Sequence, residues 1–257
     1  MALGIIISPA KKMNVVEGPP FPATQPALMA QTRLLFDRLR QLPFDEAHDL
    51  WRCSERLART AYDRLRETDL DHNLTAASLA YEGIQYQHIA PQVMSDEALA
   101  YLDRHLRILS GLYGVVRPSD GVVPYRLEMQ ARLAMPGRNG GEATKDLYAF
   151  WQDDLARTLA DDFGTILNVA SVEYAKAVTP YLPSLGARVV TCLFGSVRES
   201  DGKLLQRSTE AKAARGTFVR WCAEHGVEEV EHVRAFSDRG YRLDEDRSSS
   251  DRLVFVR

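Results

Sequence analysis

Gly4-Ile5-Ile6-Ile7-Ser8-Pro9-Ala10-Lys11 places three consecutive β-branched residues between a glycine and a polar loop broken by proline. An unalternating apolar run of this length suits a short strand buried on both faces, as in sheets covered by helices. Ser8-Pro9-Ala10-Lys11 then reads as the loop at the strand's carboxyl end. Ligands collect beyond the carboxyl ends of strands in open α/β sheets, so Ser8 and Lys11 become site candidates by position. A second such run, Gly164-Thr165-Ile166-Leu167-Asn168-Val169-Ala170, leads into Ser171-Val172-Glu173-Tyr174-Ala175-Lys176, a helix start with polar groups at its mouth.

Between and after these strands the pattern is mostly helical. Beyond Pro19, Pro20, Pro22 and Pro26, helical periodicity spans 27–40 and 54–66, with arginines on outer faces that read as scaffold. Ser95-Asp96-Glu97 supplies an N-cap and two first-turn acids, and Leu99, Leu102, Leu106 and Leu109 form the inward stripe expected of the helix that follows. One helix is expected over 144–160. A hairpin follows over 187–206, turning at Glu199-Ser200-Asp201-Gly202, then a helix over 209–225 with Lys212 and Arg215 in its first turns, then strands over 230–257. The order predicts one compact domain over 1–257, of mixed α/β (α+β) class, with a mixed sheet, flanking helices and a largely antiparallel second half.

The densest group of special residues is Leu106-Arg107-Ile108-Leu109-Ser110-Gly111-Leu112-Tyr113-Gly114-Val115-Val116-Arg117-Pro118, continuing into Pro124-Tyr125-Arg126-Leu127-Glu128-Met129. Two glycines beside a helix end let backbone N–H groups turn toward an anion, and neighbouring arginines add charge. The alternative is equally weighted: Gly111 and Gly114 cap a helix, Arg117 is a solvated arginine and Tyr125 a core aromatic.

Composition narrows the class. The net charge is −3, so the chain is no polycation, yet residues 101–145 and 197–220 each carry a surplus of +3 and the remainder sums to −9. A basic cleft in an acidic shell needs such segregation, and so do two ordinary solvated helix faces. Cys53, Cys192 and Cys222 form no C-x-x-C pair and the six histidines no H-x-x-x-H, so no metal or cofactor is expected. The Asp244-Glu245-Asp246 cluster reads as a solvated turn rather than an iron site. No signal peptide core or membrane-length apolar run is present, so a soluble cytoplasmic protein without membrane partners is expected, with a monomer favoured.

Several segments together resemble one family. Ile7 to Lys11, Leu109 to Pro118, Pro124 to Met129, Asp146 to Trp151, Asn168 to Tyr174, Phe236 to Tyr241 and Asp244-Glu245 resemble, in colinear order, the bacterial peroxide stress resistance protein YaaA family. The resemblance implies a cytoplasmic protein of the hydrogen peroxide response that limits free iron. It also implies a single domain of unusual α/β architecture with a positively charged cleft, a helix-hairpin-helix element and duplex DNA binding. The usual hairpin has one apolar residue between its glycines, whereas Gly111 and Gly114 enclose two, and Pro118 follows soon after.

Two functions therefore compete. In the first, the bend seats a phosphate of duplex DNA without sequence preference, and Arg104, Arg107, Arg117, Arg126, Lys212 and Arg215 line the cleft with Gly111 and Gly114. In the second, an enzyme acts on a nucleotide or nucleic acid, with Lys11, Tyr125, Glu128 and Asn168 as catalytic candidates and Ser8, Ser171 and Tyr174 beside them. A deep pocket holding the four candidates would favour the enzyme. An open groove as wide as a duplex would favour the DNA binder.

Overall fold

The isoleucine run forms strand β1 (Ala2–Ile7), and Ile5, Ile6 and Ile7 are fully buried, so both faces of the sheet are covered. A computed structural model describes residues 2–16, 24–137 and 141–257; Pro19, Pro20 and Pro22 lie outside them. The other strands are β2 (Lys12–Met13), β3 (Thr75–Ala76), β4 (Tyr81–Glu82), β5 (Leu106–Ser110), β6 (Gly114–Val116), β7 (Gly121–Val122), β8 (Phe163–Asn168), β9 (Arg188–Val197), β10 (Leu204–Leu205), β11 (Arg242–Leu243) and β12 (Arg252–Val256). The helices are α1 (Met29–Arg40), α2 (Phe44–Trp51), α3 (Glu55–Glu67), α4 (Ala77–Ala80), α5 (Ile84–Ile89), α6 (Asp96–His105), α7 (Leu147–Trp151), α8 (Asp154–Asp162), α9 (Val172–Ala175), α10 (Ser208–Glu224) and α11 (Val230–Val233).

Eight strands make the central sheet of this single mixed α/β domain, in the order β11-β12-β9-β8-β1-β5-β6, with β10 paired to β9. From β1 the chain crosses to β5 and β6 on one side. From β8, on the other side of β1, it moves away through β9 to β12. Strand order therefore reverses between β1 and β8, and the carboxyl ends of those two strands frame the crevice where such sheets bind ligands. Phe218 of α10 and Phe194 and Phe255 of β9 and β12 fill the core on the β9 side, the last two stacked with ring centres 5.3 Å apart.

Five expectations need correction. Val230–Val233, expected within the C-terminal strands, forms helix α11. β8, β9 and β12 run parallel, so the second half is not largely antiparallel; among its described strands only β10 and β11 pair antiparallel. The helix opened by Ser95, whose hydroxyl accepts the Ala98 N–H, ends at His105. Leu106–Ser110 is instead a strand hydrogen-bonded to β1, because pairing there satisfies a buried backbone that leucine spacing alone does not identify. The Gly111–Gly114 bend consequently joins two antiparallel strands, with Ser110 opposite Gly114, and the helix-hairpin-helix-like element is a β-hairpin. Finally, the single helix over 144–160 is two, broken where Gln152 takes a positive φ of 46°.

Candidate functional site

Ser8 and Ser171 leave β1 and β8 on the two sides of the crevice and meet there. The Ser171 N–H donates to Ser8 Oγ at 2.8 Å, and the Ser8 hydroxyl donates to Ser171 Oγ at 3.1 Å. Tyr86 of α5 donates its hydroxyl to the Ser8 carbonyl at 2.9 Å. Asn168 is buried one turn earlier, where its Oδ1 accepts the Ala170 N–H at 3.1 Å and its Nδ2 donates to Thr191 Oγ1 at 3.4 Å. It shapes the turn that delivers Ser171 and lies behind the cleft wall rather than in it.

The glycine bend acts on the chain's own backbone. A Cβ on Gly111 would lie 2.4 Å from the Leu127 carbonyl oxygen, and Gly114 holds a φ of +75°, so the 124–129 segment lies directly on the hairpin turn. Leu127 is buried against it, while Arg126 and Glu128 on either side are half-buried and line the cleft. Glu128 Oε1 sits 2.8 Å from Lys11 Nζ and 4.0 Å from Arg126 Nη2. The Tyr125 hydroxyl is 2.7 Å from Ser110 Oγ and 3.0 Å from the Tyr81 hydroxyl, and burial pushes its pKa up to about 12. Burial also raises the Tyr174 phenol. The Glu173 carboxyl lies above the usual carboxylate range, first through burial and then through the neighbouring Glu128, although its Oε1 accepts the Gln130 N–H at 3.3 Å.

Lys212 and Arg215 complete the cleft from α10. A Cβ on Gly216 would fall 2.1 Å from the Gln85 carbonyl oxygen, so α10 lies almost backbone to backbone on α5. The cleft holds about 520 Å³ and is lined by five cationic side chains and three carboxylates. At Lys11, Lys12, Tyr125 and Arg126 it meets a second hollow of about 520 Å³ against Leu39, Trp51 and Arg64. That hollow is walled by four cations and, among the described residues, by no carboxylate. A third hollow of about 370 Å³ adds Arg38, Arg52 and Arg132, against the carboxylates of Glu46, Asp49 and Glu128, and Arg126 lines all three.

Three of the four catalytic candidates, Lys11, Tyr125 and Glu128, thus line one cleft with Ser8, Ser171, Tyr174, Arg126, Lys212 and Arg215. Arg104, Arg107 and Arg117 do not. Asp162 directly precedes β8, and Arg117 follows β6, which runs antiparallel to β5, so both lie at the opposite, amino edge of the parallel strands. There Arg107 Nη2 pairs with Asp162 at 2.8 Å, with Arg117 3.9 Å from the same carboxylate, and Arg104 is exposed on α6. Gln85, Trp51, Glu173 and Arg52 were not expected at the site, and the arginines over 27–40 and 54–66 were expected to be scaffold. Glu173 had a usable signal, since it stands two residues after a strand-end serine.

The whole chain has counterparts in other bacteria. The family model for peroxide stress protein YaaA matches residues 3–247. The chain belongs to the peroxide stress protein YaaA family. It is 47% identical over 253 residues to a UPF0246 protein of Lactiplantibacillus plantarum, covering 98% of each chain. It is 43% identical to one of Pediococcus pentosaceus and 42% to one of Desulfitobacterium hafniense, each over 253 residues, covering 98% of this chain and 97% of theirs. Family membership therefore extends across the strand-order reversal, the hairpin and the cleft alike. Among the described residues, no helix is long and apolar enough to cross a membrane, and no three His, Cys, Asp or Glu side chains converge as a metal-binding group.

Proposed function

We propose that this member of the YaaA family serves the peroxide stress response by binding DNA through the groove that passes Arg126, gripping phosphates rather than reading bases. The observation that carries the reading is the run of three adjoining cationic hollows with Arg126 common to all. Phosphate contacts of this kind are sequence-independent and release counterions. The interface differs from the one expected at the glycine bend: Arg126, Lys212 and Arg215 belong to it, and Arg104, Arg107 and Arg117 do not. Protection from free-iron-driven damage then follows from occupancy of the DNA.

The test is a titration of labelled duplex and single-stranded DNA at several salt concentrations. Log affinity should fall linearly with log salt. Arg126→Ala should reduce the salt slope by about 1, whereas Arg117→Ala should leave it unchanged. An absence of binding at low salt, or an Arg117 effect matching that of Arg126, overturns the reading.

A second reading, an enzyme acting on a nucleotide or nucleic acid, is favoured by the Lys11–Glu128 pair standing beside the Ser8 and Ser171 hydroxyls within the cleft. Here Glu128 would accept a proton and Lys11 would stabilise a developing anion. Glu128→Gln separates the two readings. A binder keeps its DNA affinity, or gains slightly, and continues to protect cells. An enzyme keeps its affinity and loses protection.

A further inference from the structure

Among the described residues, two buried hydrogen-bond donors in the α5–α10 wall of the cleft have no partner. Gln85, only 7% exposed, has its Nε2 buried without a partner, and the Arg215 Nε is likewise buried and unpartnered. Among the described residues no carboxylate pairs with Arg215, and burial alone lowers its guanidinium pKa, so a desolvated cation stands uncompensated. Lys212 lies three residues before Arg215, hence on the same helical face, and lines the same cleft. The arrangement is built, because only a glycine at 216 lets α10 approach the Gln85 carbonyl closely enough to bring these groups together.

Buried donors left unpaired are costly and rare, and a cation without a counter-charge more so. The missing complement must be an anion with several acceptor oxygens, since an amide N–H₂, a guanidinium and an ammonium offer only donors. A terminal phosphate has three free oxygens and close to two charges, whereas an internal phosphodiester has two free oxygens and one charge. We propose that Gln85, Lys212 and Arg215 form a subsite for a terminal phosphate group, on a nucleic-acid strand end or a free nucleotide. The inference rests on the groove reading and deepens it: the groove carries the polymer, and its α10 end receives a chain terminus.

The experiment compares oligonucleotides of one sequence bearing a 5′-phosphate, a 3′-phosphate or hydroxyls at both ends, using the full chain, Arg215→Gln and Lys212→Gln. A separate arm measures thermal stabilisation by adenosine monophosphate and by adenosine. One phosphorylated end should bind on the order of tenfold tighter than the hydroxyl form. Arg215→Gln should erase that preference, and the affinity for the hydroxyl form should fall only by the modest loss of one phosphate contact. The substitution should also leave the ligand-free melting temperature unchanged or higher, which a merely structural arginine would not. Lys212→Gln, at an exposed position, should reduce the preference severalfold. Equal binding of all three oligonucleotides overturns the subsite and leaves the groove standing. Failure of every oligonucleotide overturns the groove, and the subsite is then decided by the nucleotide arm. Stabilisation by the monophosphate alone, lost in Arg215→Gln, supports it, and no stabilisation overturns it.

Discussion

At the amino edge of the central sheet Arg107 is buried yet fully answered. Its Nε and Nη2 donate to Asp162, its Nη1 donates to the Asp103 and Leu106 carbonyls, and its guanidinium lies 4.9 Å from the Phe163 ring centre. At the carboxyl edge, among the described residues, Arg126 and Arg215 each keep a buried Nε with no partner; Arg126 reaches Glu128 only at 4.0 Å and Arg215 pairs with no carboxylate. The same residue type thus locks the fold at one edge and keeps unsatisfied donors at the other. What separates the two is whether the fold brings acceptors close enough to satisfy every guanidinium donor, a property of topology that local sequence does not display.

The comparison breaks first at Asp162. Asp162→Ala leaves Arg107, 5% exposed, without its counter-charge and should cost about 3 kcal/mol in denaturant unfolding. This is the low end for a broken buried pair, because Asp162 itself is 29% exposed. A cost below about 1 kcal/mol would mean that the pair behaves as a surface bridge and the two edges do not differ.

Gly111→Ala attacks the join between hairpin and cleft. The new Cβ would collide with the Leu127 carbonyl and must move the segment bearing Arg126 and Glu128. A loss of about 1–3 kcal/mol is expected, together with weaker DNA binding. Retention of full stability would show that the hairpin turn does not set the cleft.

The smallest effect sharpens the carboxyl edge. Glu173 has a folded-state pKa raised above its unfolded value, so it binds protons more readily in the native state. Its contribution to stability is greatest below the unfolded pKa and is lost as pH rises from the ordinary carboxylate range through the raised value. Glu173→Gln should therefore flatten the stability profile in that window and raise stability slightly at neutral pH. An unchanged profile in urea melts across mildly acidic buffers would show that Glu173 is not desolvated.

Much of this architecture is readable from the chain because some features are local. The unalternating run at Ile5 to Ile7 declares a strand buried on both faces, and a strand of that kind locates Ser8, Lys11 and, from the second run, Ser171 at a carboxyl edge. The long-range features are not local. Leucines at 102, 106 and 109 fit a helix, and only pairing of Leu106 with β1 and of Leu109 with β6 decides that the last two belong to a strand. The parallel run of β8, β9 and β12 has no pattern within any one strand. Arg38 and Arg64 are ordinary polar-face arginines and Arg52 a residue just past a helix end, until folding sets them beside Arg126.

The tyrosine wall of the cleft has one further property. Ser110 Oγ accepts the Tyr113 N–H, and its own proton, that of Tyr125 and that of Tyr81 can point either way along the row Ser110–Tyr125–Tyr81. Reversing the row rotates three O–H bonds and moves no heavy atom, and with Tyr125 protonated up to about pH 12 no charge changes hands. Ser110 and Tyr81 are buried behind the cleft and only Tyr125 lines it, so the row is a set of coupled rotors that fixes the Tyr125 ring while leaving the direction of its hydroxyl proton free.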